Sequence, residues 1–252
     1  MSSAPQPAIE FRDVSYRANG GGLLLNAISL RFESGTTTAL LGRSGAGKTT
    51  LLRLVNQLLP TSGGKLLVEG KDAHAWNPVF LRRRIGYAIQ ETGLFPHFTI
   101  ARNIALALEL EGKSAGERRA RAFEMLKMVG LNAEYADRYP HELSGGQRQR
   151  AGVARALVAS PSILLLDEPF GALDPLTRRE LQEMTRSLLR QLRTTTLLVT
   201  HDLEEALYIA DRIILLDAGR VVADQPSAQF RGSPQPEVRE YVRAFRHAEG
   251  PQ

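Results

Sequence analysis

Eight residues, Gly42-Arg43-Ser44-Gly45-Ala46-Gly47-Lys48-Thr49, constrain this chain more than anything else in it. They fit G-x-x-x-x-G-K-[ST], a loop whose backbone cradles nucleotide phosphates. The pattern demands a strand before it and a helix after it. Thr36-Thr37-Thr38-Ala39-Leu40-Leu41 is a β-rich run that feeds the loop, and Thr50-Leu51-Leu52-Arg53-Leu54-Val55 repeats at helical spacing until Pro60 and Gly63-Gly64 stop it. Gly42, Gly45 and Gly47 let the backbone turn tightly, so that several N–H groups point into one cavity. The helix adds its positive N-terminal end, Lys48 a full charge near the β- and γ-phosphates, and Thr49 a hydroxyl for Mg²⁺. Arg43, Ser44, Ala46 and Thr50 complete the candidate nucleotide-binding set. The same glycines without Lys-Thr at this offset would read as an ordinary strand-to-helix turn.

The rest of the chain reads as an α/β core interrupted by helices. Ile9–Val14 alternates apolar with polar, Gly20-Gly21-Gly22 marks a turn, and Leu23–Phe32 is again extended. Short strands are expected around Lys65–Val68 and Ile85–Ile89. From about Thr99 to Ser160 the pattern is helical, with Gly130 a stop. Ile163–Leu166, Thr196–Val199 and Ile213–Leu216 are short, continuously apolar runs, as in strands of a parallel sheet covered on both faces. Between the first two, Leu181, Met184, Leu188 and Leu192 mark the buried face of a helix. The tail from Pro226 onward is rich in Pro, Gln and Arg and is expected to be peripheral.

Three further features carry chemistry. Asp167 and Glu168 follow a buried apolar strand, at the end where α/β folds place ligands; Asp167 suits Mg²⁺, and Glu168 suits orienting or deprotonating a water. An acidic pair ending a strand is common by itself, so this reading leans on the upstream loop. His201 leaves the strand Thr196–Thr200 and can donate to a γ-phosphate oxygen, or be a helix-proximal histidine with its own partner. Leu143-Ser144-Gly145-Gly146-Gln147 means little alone, but it is a second phosphate-reading element about a hundred residues after the first. His74, His97, His141 and His247 lack such placement and are expected at the surface.

Composition excludes more than it assigns. With no cysteine there is no disulfide and no thiolate metal site. The net charge of +5 suits phosphates, nucleic acid or an anionic membrane face, and a solvated Arg-rich surface explains most of it. Met1–Pro7 lacks signal-peptide character, and no apolar run approaches the ~20 residues of a membrane span, so the chain is expected to be cytosolic, with any transport path built by another polypeptide.

Gly42–Thr49, Gln90 after Ile85–Ile89, Leu143–Gln147, Leu164–Glu168 with Gly171-Ala172-Leu173-Asp174, and His201, in this order, resemble the ATP-binding cassette family of transporter subunits. The resemblance implies a P-loop core with a mostly parallel sheet, an N-terminal antiparallel β subdomain and an inserted helical subdomain. Residues 1–90 and 161–225 would form the ATP-binding core, 91–160 the helical subdomain and 226–252 a tail. It further implies Mg-dependent ATP hydrolysis by a head-to-tail homodimer or paired subunit, each ATP lying between one P-loop and the partner copy's Ser144, Gly145, Gly146 and Gln147. Ser144 is a good N-cap there, and Gly145 and Gly146 open a helix able to face a γ-phosphate. Asp174 would belong to the loop linking the two sites. Gln90 would contact Mg²⁺ or the attacking water, and Glu91–Phe98 would line a groove for a permease helix.

The family stacks adenine on an aromatic near the end of the first strand. That position falls close to Ala18 here, whereas the aromatic is Tyr16; Tyr16 either substitutes or belongs to the core. Arg82–Gln90, Gly93–His97 and Pro169–Arg178 look like importers of glycine betaine, choline or other quaternary amines. Polyamine, nitrate, sulfonate and amino-acid importers remain alternatives, as do an exporter and, from another class, a soluble nucleic-acid-associated ATPase. Permease subunits and, indirectly, an extracytoplasmic solute-binding protein are the implied partners. Nucleic acid is not expected, and the implied location is the cytoplasmic side of the membrane. Ending at Gln252, the chain is expected to lack a C-terminal regulatory domain.

Overall fold

A computed structural model of the chain describes residues 6–18, 20–90, 92–171 and 173–248. Expectations that fall on Met1–Pro5, Glu91, Ala172, the end of the tail and the side chain of His247 lie outside these. The chain forms two compact units, Met1–Pro78 with Thr195–Gln252, and Val79–Thr194.

The first unit begins with β1 (Ile9–Arg17), β2 (Leu23–Phe32), β3 (Thr37–Leu41), α1 (Lys48–Val55), β4 (Gly63–Val68) and β5 (Lys71–Asp72). β1 pairs antiparallel with β2 and β4, and β4 with β5; Ile9 and Phe11 alternate into the core, and an irregularity in register between Phe11 and Val14 lets Val14 be buried as well. α1 stops at Asn56, well before the proline and glycines expected to end it.

The second unit runs through α2 (Pro78–Arg84), β6 (Ile85–Ala88), α3 (Ile100–Leu110), α4 (Ala115–Met128), α5 (Gly145–Leu157), β7 (Ile163–Asp167) and α6 (Pro175–Leu192). β6 and β7 are parallel and in register, Ile85 opposite Ile163 and Tyr87 opposite Leu165. In α6, Leu181 and Leu188 are buried as expected, but Thr185 and Leu189 complete the buried face, while Leu192 is 37% exposed. Leu192 is the last helical residue before the left-handed cap Arg193. Periodicity reports a direction around a helix, not how far the surface it packs on extends.

The chain returns to the first unit with β8 (Thr195–Val199), α7 (Leu203–Ile209), β9 (Arg212–Asp217), β10 (Arg220–Pro226), α8 (Ser227–Phe230) and α9 (Pro236–Ala248). β3 lies between β8 and β9, parallel to both, and β10 closes antiparallel on β9. The continuous apolar runs follow: β3 and β8 are buried at every position. The tail is not peripheral. Phe230, Val238 and Val242 enter a core shared with Ala39, Leu41, Leu203, Ile213 and Leu215. Composition hides this, because Val238, Tyr241, Val242 and Phe245 form one apolar stripe at helical spacing inside an Arg- and Glu-rich segment. Among the described residues no helix is long and apolar enough to cross a membrane.

Candidate nucleotide site

In the first unit the phosphate loop leaves the C-terminal end of β3 and enters α1. Gly42, Gly45 and Gly47 have φ of 149°, 80° and 101°, values that a side chain resists. Space enforces two of them. A Cβ on Gly42 would stand 2.2 Å from Leu216 O, and one on Gly47 would stand 2.6 Å from Leu25 Cδ2. Gly45 meets nothing within 4 Å, so the loop presents an open face there. Arg43, Ser44 and Gly45 are exposed, Ala46 is buried, and Thr49 and Thr50 are half-buried. No side chain caps α1. Lys48, 6% exposed, folds into the loop and donates to Gly42 O at 2.7 Å and Arg43 O at 3.0 Å. A buried ammonium in a ring of backbone dipoles, with an uncapped helix start, fits a polyanionic phosphate chain.

Two more residues sit around this loop. Tyr16 is half-buried in β1 opposite Leu25, the residue packed on Gly47; Ala18 lies beyond the strand, in the turn closed by Ala18 N donating to Gly22 O. His201, exposed at the exit of β8, lines a cavity of about 350 Å³ together with Gly42, Arg43 and Tyr241.

In the second unit, Asp167 ends β7 and is 8% exposed. Its Oδ2 accepts a 3.0 Å bond from the Tyr87 hydroxyl. Tyr87 is not among the residues that the sequence singles out, although its place is legible: it sits opposite Leu165, and Leu165 and Asp167 share a face. Glu168 is held left-handed at φ 47°, a strained backbone of the kind concentrated at functional sites. A Cβ on Gly171 would stand 3.9 Å from both Glu168 Oε2 and Gln90 Nε2, so these two candidates converge on one small, exposed glycine. Arg155 of α5 donates to Thr92 O and Gly93 O at 2.5 and 2.6 Å, tying that helix to the loop after Gln90. Burial lowers the pKa of this guanidinium.

Ser144 caps α5 within a capping box: its Oγ accepts from Gln147 N at 3.2 Å, and its own N–H donates to Gln147 Oε1 at 2.9 Å. Gln147 also donates to the Tyr135 hydroxyl at 2.8 Å. Gly145 is exposed, and a Cβ there makes only ordinary contact with Leu173 at 3.6 Å. Gly146 is buried, and a Cβ there would meet Thr177 Cγ2 at 2.3 Å. Asp174 caps α6 by accepting from Thr177 N at 3.1 Å, and the Thr177 bonds hold its carboxyl below the usual aspartate range. This cap goes beyond the role expected of Asp174, though Asp-Pro ahead of an apolar-periodic run is its sequence signature.

Among the described residues no three His, Asp or Glu side chains cluster as a metal site. Mg²⁺ commonly takes one or two protein groups and completes its shell with phosphate oxygens and water. Within the second unit, the Asp167 carboxylate, oriented by Tyr87, has the chemistry of one such sparse donor.

The parallel strands, a glycine loop at a strand's C-terminal end and an ammonium folded beneath it define a nucleotide-binding protein of the P-loop class. Residues 25–171 match the family described as ABC transporter, and the chain belongs to that family. It is 48% identical over 214 residues to the choline transport ATP-binding protein OpuBA of Bacillus subtilis (strain 168), covering 85% of this chain and 56% of that protein. It is 45% identical over 214 residues to the glycine betaine uptake system ATP-binding protein YehX of Escherichia coli (strain K12), covering 85% and 69%. The chain thus spans little more than half the length of the first of these relatives. Among solved structures, the dimeric ATP-binding cassette MJ0796 bound to ADP and Pi matches with a TM-score of 0.78 and 30% identity, over 87% of this chain and 98% of that one.

Proposed function

We propose that this chain is the ATP-hydrolysing subunit of an importer, bound peripherally at the cytoplasmic face of the membrane, for an osmoprotectant such as glycine betaine, choline or another quaternary amine. The observation that carries the nucleotide chemistry is the Gly42–Thr49 cradle closed around Lys48. The solute class rests on relatives whose names specify choline and glycine betaine.

In this reading the Gly42–Thr50 backbone and Lys48 hold the β- and γ-phosphates of ATP, and entry of phosphate draws Lys48 off its own carbonyls. Tyr16 stacks on adenine from the end of β1. Thr49, Gln90 and Asp167 would hold Mg²⁺, which would neutralise negative charge on the phosphates. Glu168 orients the attacking water and takes its proton, and His201 donates to the γ-phosphate. Two copies, or this chain and a paired subunit, associate head to tail, so that Ser144–Gln147 of one face the ATP of the other, with Asp174 at the junction. Residues 91–160 form the signature-bearing subdomain and 1–90 with 161–225 the ATP-binding core. ATP is then a ligand with differential affinity for the closed pair, and hydrolysis removes the bridge. Permease subunits complete the transporter, and a solute-binding protein delivers to them.

The test is turnover against binding. Glu168→Gln is expected to slow Mg-dependent ATP hydrolysis by about 10²–10⁴-fold while retaining ATP binding and accumulating a dimer on gel filtration. Unchanged turnover removes Glu168 from the chemistry. Co-purification with a permease supports transport, whereas salt-sensitive binding to nucleic acid in its place overturns it.

A further inference from the structure

We infer that Tyr241, in the C-terminal helix α9, is a positioning residue for ATP hydrolysis, acting by holding the backbone of His201 beside the start of the phosphate loop. The inference rests on the ATPase reading above and adds to it a part of the chain that none of the nucleotide motifs includes. The Tyr241 hydroxyl donates to His201 O at 3.1 Å. Gly42 and Arg43 line one cavity together with Tyr241 and His201. One turn's worth of α9 therefore touches both loops that carry candidate phosphate contacts in this unit, the exit of β3 and the exit of β8.

The contact is anchored. Val238 and Val242 are buried in the core under β3 and β9, and they bracket Tyr241 on the inner side of α9. The neighbouring Glu240 faces Arg43 of the phosphate loop at 3.7 Å, an exposed pair that adds orientation more than energy. Burial pushes the Tyr241 phenol up to about 12, with Asp202 adding to the rise and Gly42 and Arg43 opposing it, so the hydroxyl stays a donor throughout the neutral range. A histidine that must meet a γ-phosphate oxygen within hydrogen-bond tolerance needs its main chain located, because the imidazole sits only two torsions away from it. His201 lies in a bend between β8 and α7, outside both elements. Tyr241 supplies a tether from a third element.

Tyr241→Phe removes one oxygen and keeps the ring. In the full chain, labelled-histidine NMR reads the His201 imidazole directly, its resonance assigned by loss in His201→Gln. Tyr241→Phe is expected to shift that resonance and leave those of His74, His97 and His141 in place. At saturating ATP, kcat is expected to fall about fivefold, the factor that one net hydrogen bond supports. KM and the thermal midpoint should stay near wild type. Combined with His201→Gln, Tyr241→Phe should have no further effect on kcat, as for two residues acting through one path. Additive losses, an unmoved His201 resonance, or an unchanged kcat in an active wild-type background overturns the inference alone. A wild-type chain that neither binds nor hydrolyses ATP overturns the functional reading and the inference with it.

Discussion

The phosphate loop in the first unit and the start of α5 in the other share a sequence theme, glycines opening a helix, yet they are built on opposite principles. Gly42, Gly45 and Gly47 all take positive φ, and no side chain caps the helix that follows. Its lysine is folded onto the loop's own carbonyls. At α5 the glycines stay out of the left-handed region, and Ser144 and Gln147 satisfy each other's backbone in a capping box. The first loop keeps its polar groups arranged for an outside ligand. The start of α5 finishes its own helix and presents a small, smooth end. Glycine serves conformation in one, and clearance in the other.

Substitutions at matched glycines can break that contrast. The largest effect is expected at Gly42, where φ of 149° and a Cβ 2.2 Å from Leu216 O leave no accommodation. Gly42→Ala should cost about 3–4 kcal/mol of unfolding free energy in urea titration and abolish measurable nucleotide binding. Near-native binding would show that the loop yields where its φ and packing leave no room. Next comes Gly146→Ala, where the obstruction is a side-chain methyl, Thr177 Cγ2, at 2.3 Å. It should cost about 1–3 kcal/mol, and Thr177→Ser, which deletes that methyl, should restore most of the loss. A Gly146→Ala defect that Thr177→Ser does not repair would place the cause elsewhere, such as a facing partner copy.

Gly145→Ala separates clearance toward a partner from clearance within the chain. A Cβ there is free of close contacts, so stability should stay within about 0.5 kcal/mol of wild type. If the proposed head-to-tail pairing holds, ATP turnover should nevertheless drop at least about tenfold, because the new methyl would stand between the helix start and the other copy's γ-phosphate. Full turnover would remove this helix start from the nucleotide site. A smaller effect is expected from Tyr87→Phe, which strips the phenol donor from Asp167. The Mg²⁺ concentration for half-maximal turnover should rise by about fivefold, and an unaltered requirement would separate Asp167 from the metal.

The smallest effect is electrostatic. Asp174 has its carboxyl lowered, first by the Thr177 side chain and then by the Thr177 backbone. A depressed folded-state pKa means that the cap's contribution is complete above the ordinary aspartate value of 3.8 and is lost as pH falls through the folded value. Thermal midpoints recorded downward from pH 5 should therefore decline less for Asp174→Asn, which caps without titrating, than for wild type. Parallel declines would assign the acid loss to other carboxylates, Glu10 and Glu109 among them.

Part of this architecture is legible in the amino-acid order alone. The strand, loop and helix around Gly42–Thr49 follow from local chemistry: a β-rich run, glycines where φ turns positive, and a helical repeat afterward. The buried strands β7, β8 and β9 stand out as unbroken apolar runs. Tyr87, Arg155 and Tyr241 are not legible as site residues, because each takes its role from a partner far away along the chain, at Asp167, Gly93 and His201 respectively. The tail defies its composition for a related reason: averaging conceals a four-residue apolar stripe, and that stripe alone decides whether a helix docks.

Where the backbone must turn, which segments are strands buried on both faces, and which residue types stand ready for phosphate, metal and water all follow from amino-acid order. Those properties depend on a residue and its near neighbours. Tertiary structure alone decided that Gly146 is kept small by Thr177, that Asp167 is oriented by a phenol from the adjacent strand, and that the last helix reaches back to Gly42 and His201. Contacts across eighty or two hundred positions, on the order of these separations, carry no local signature, because chain connectivity says nothing about which distant surfaces the packing of a core will bring together.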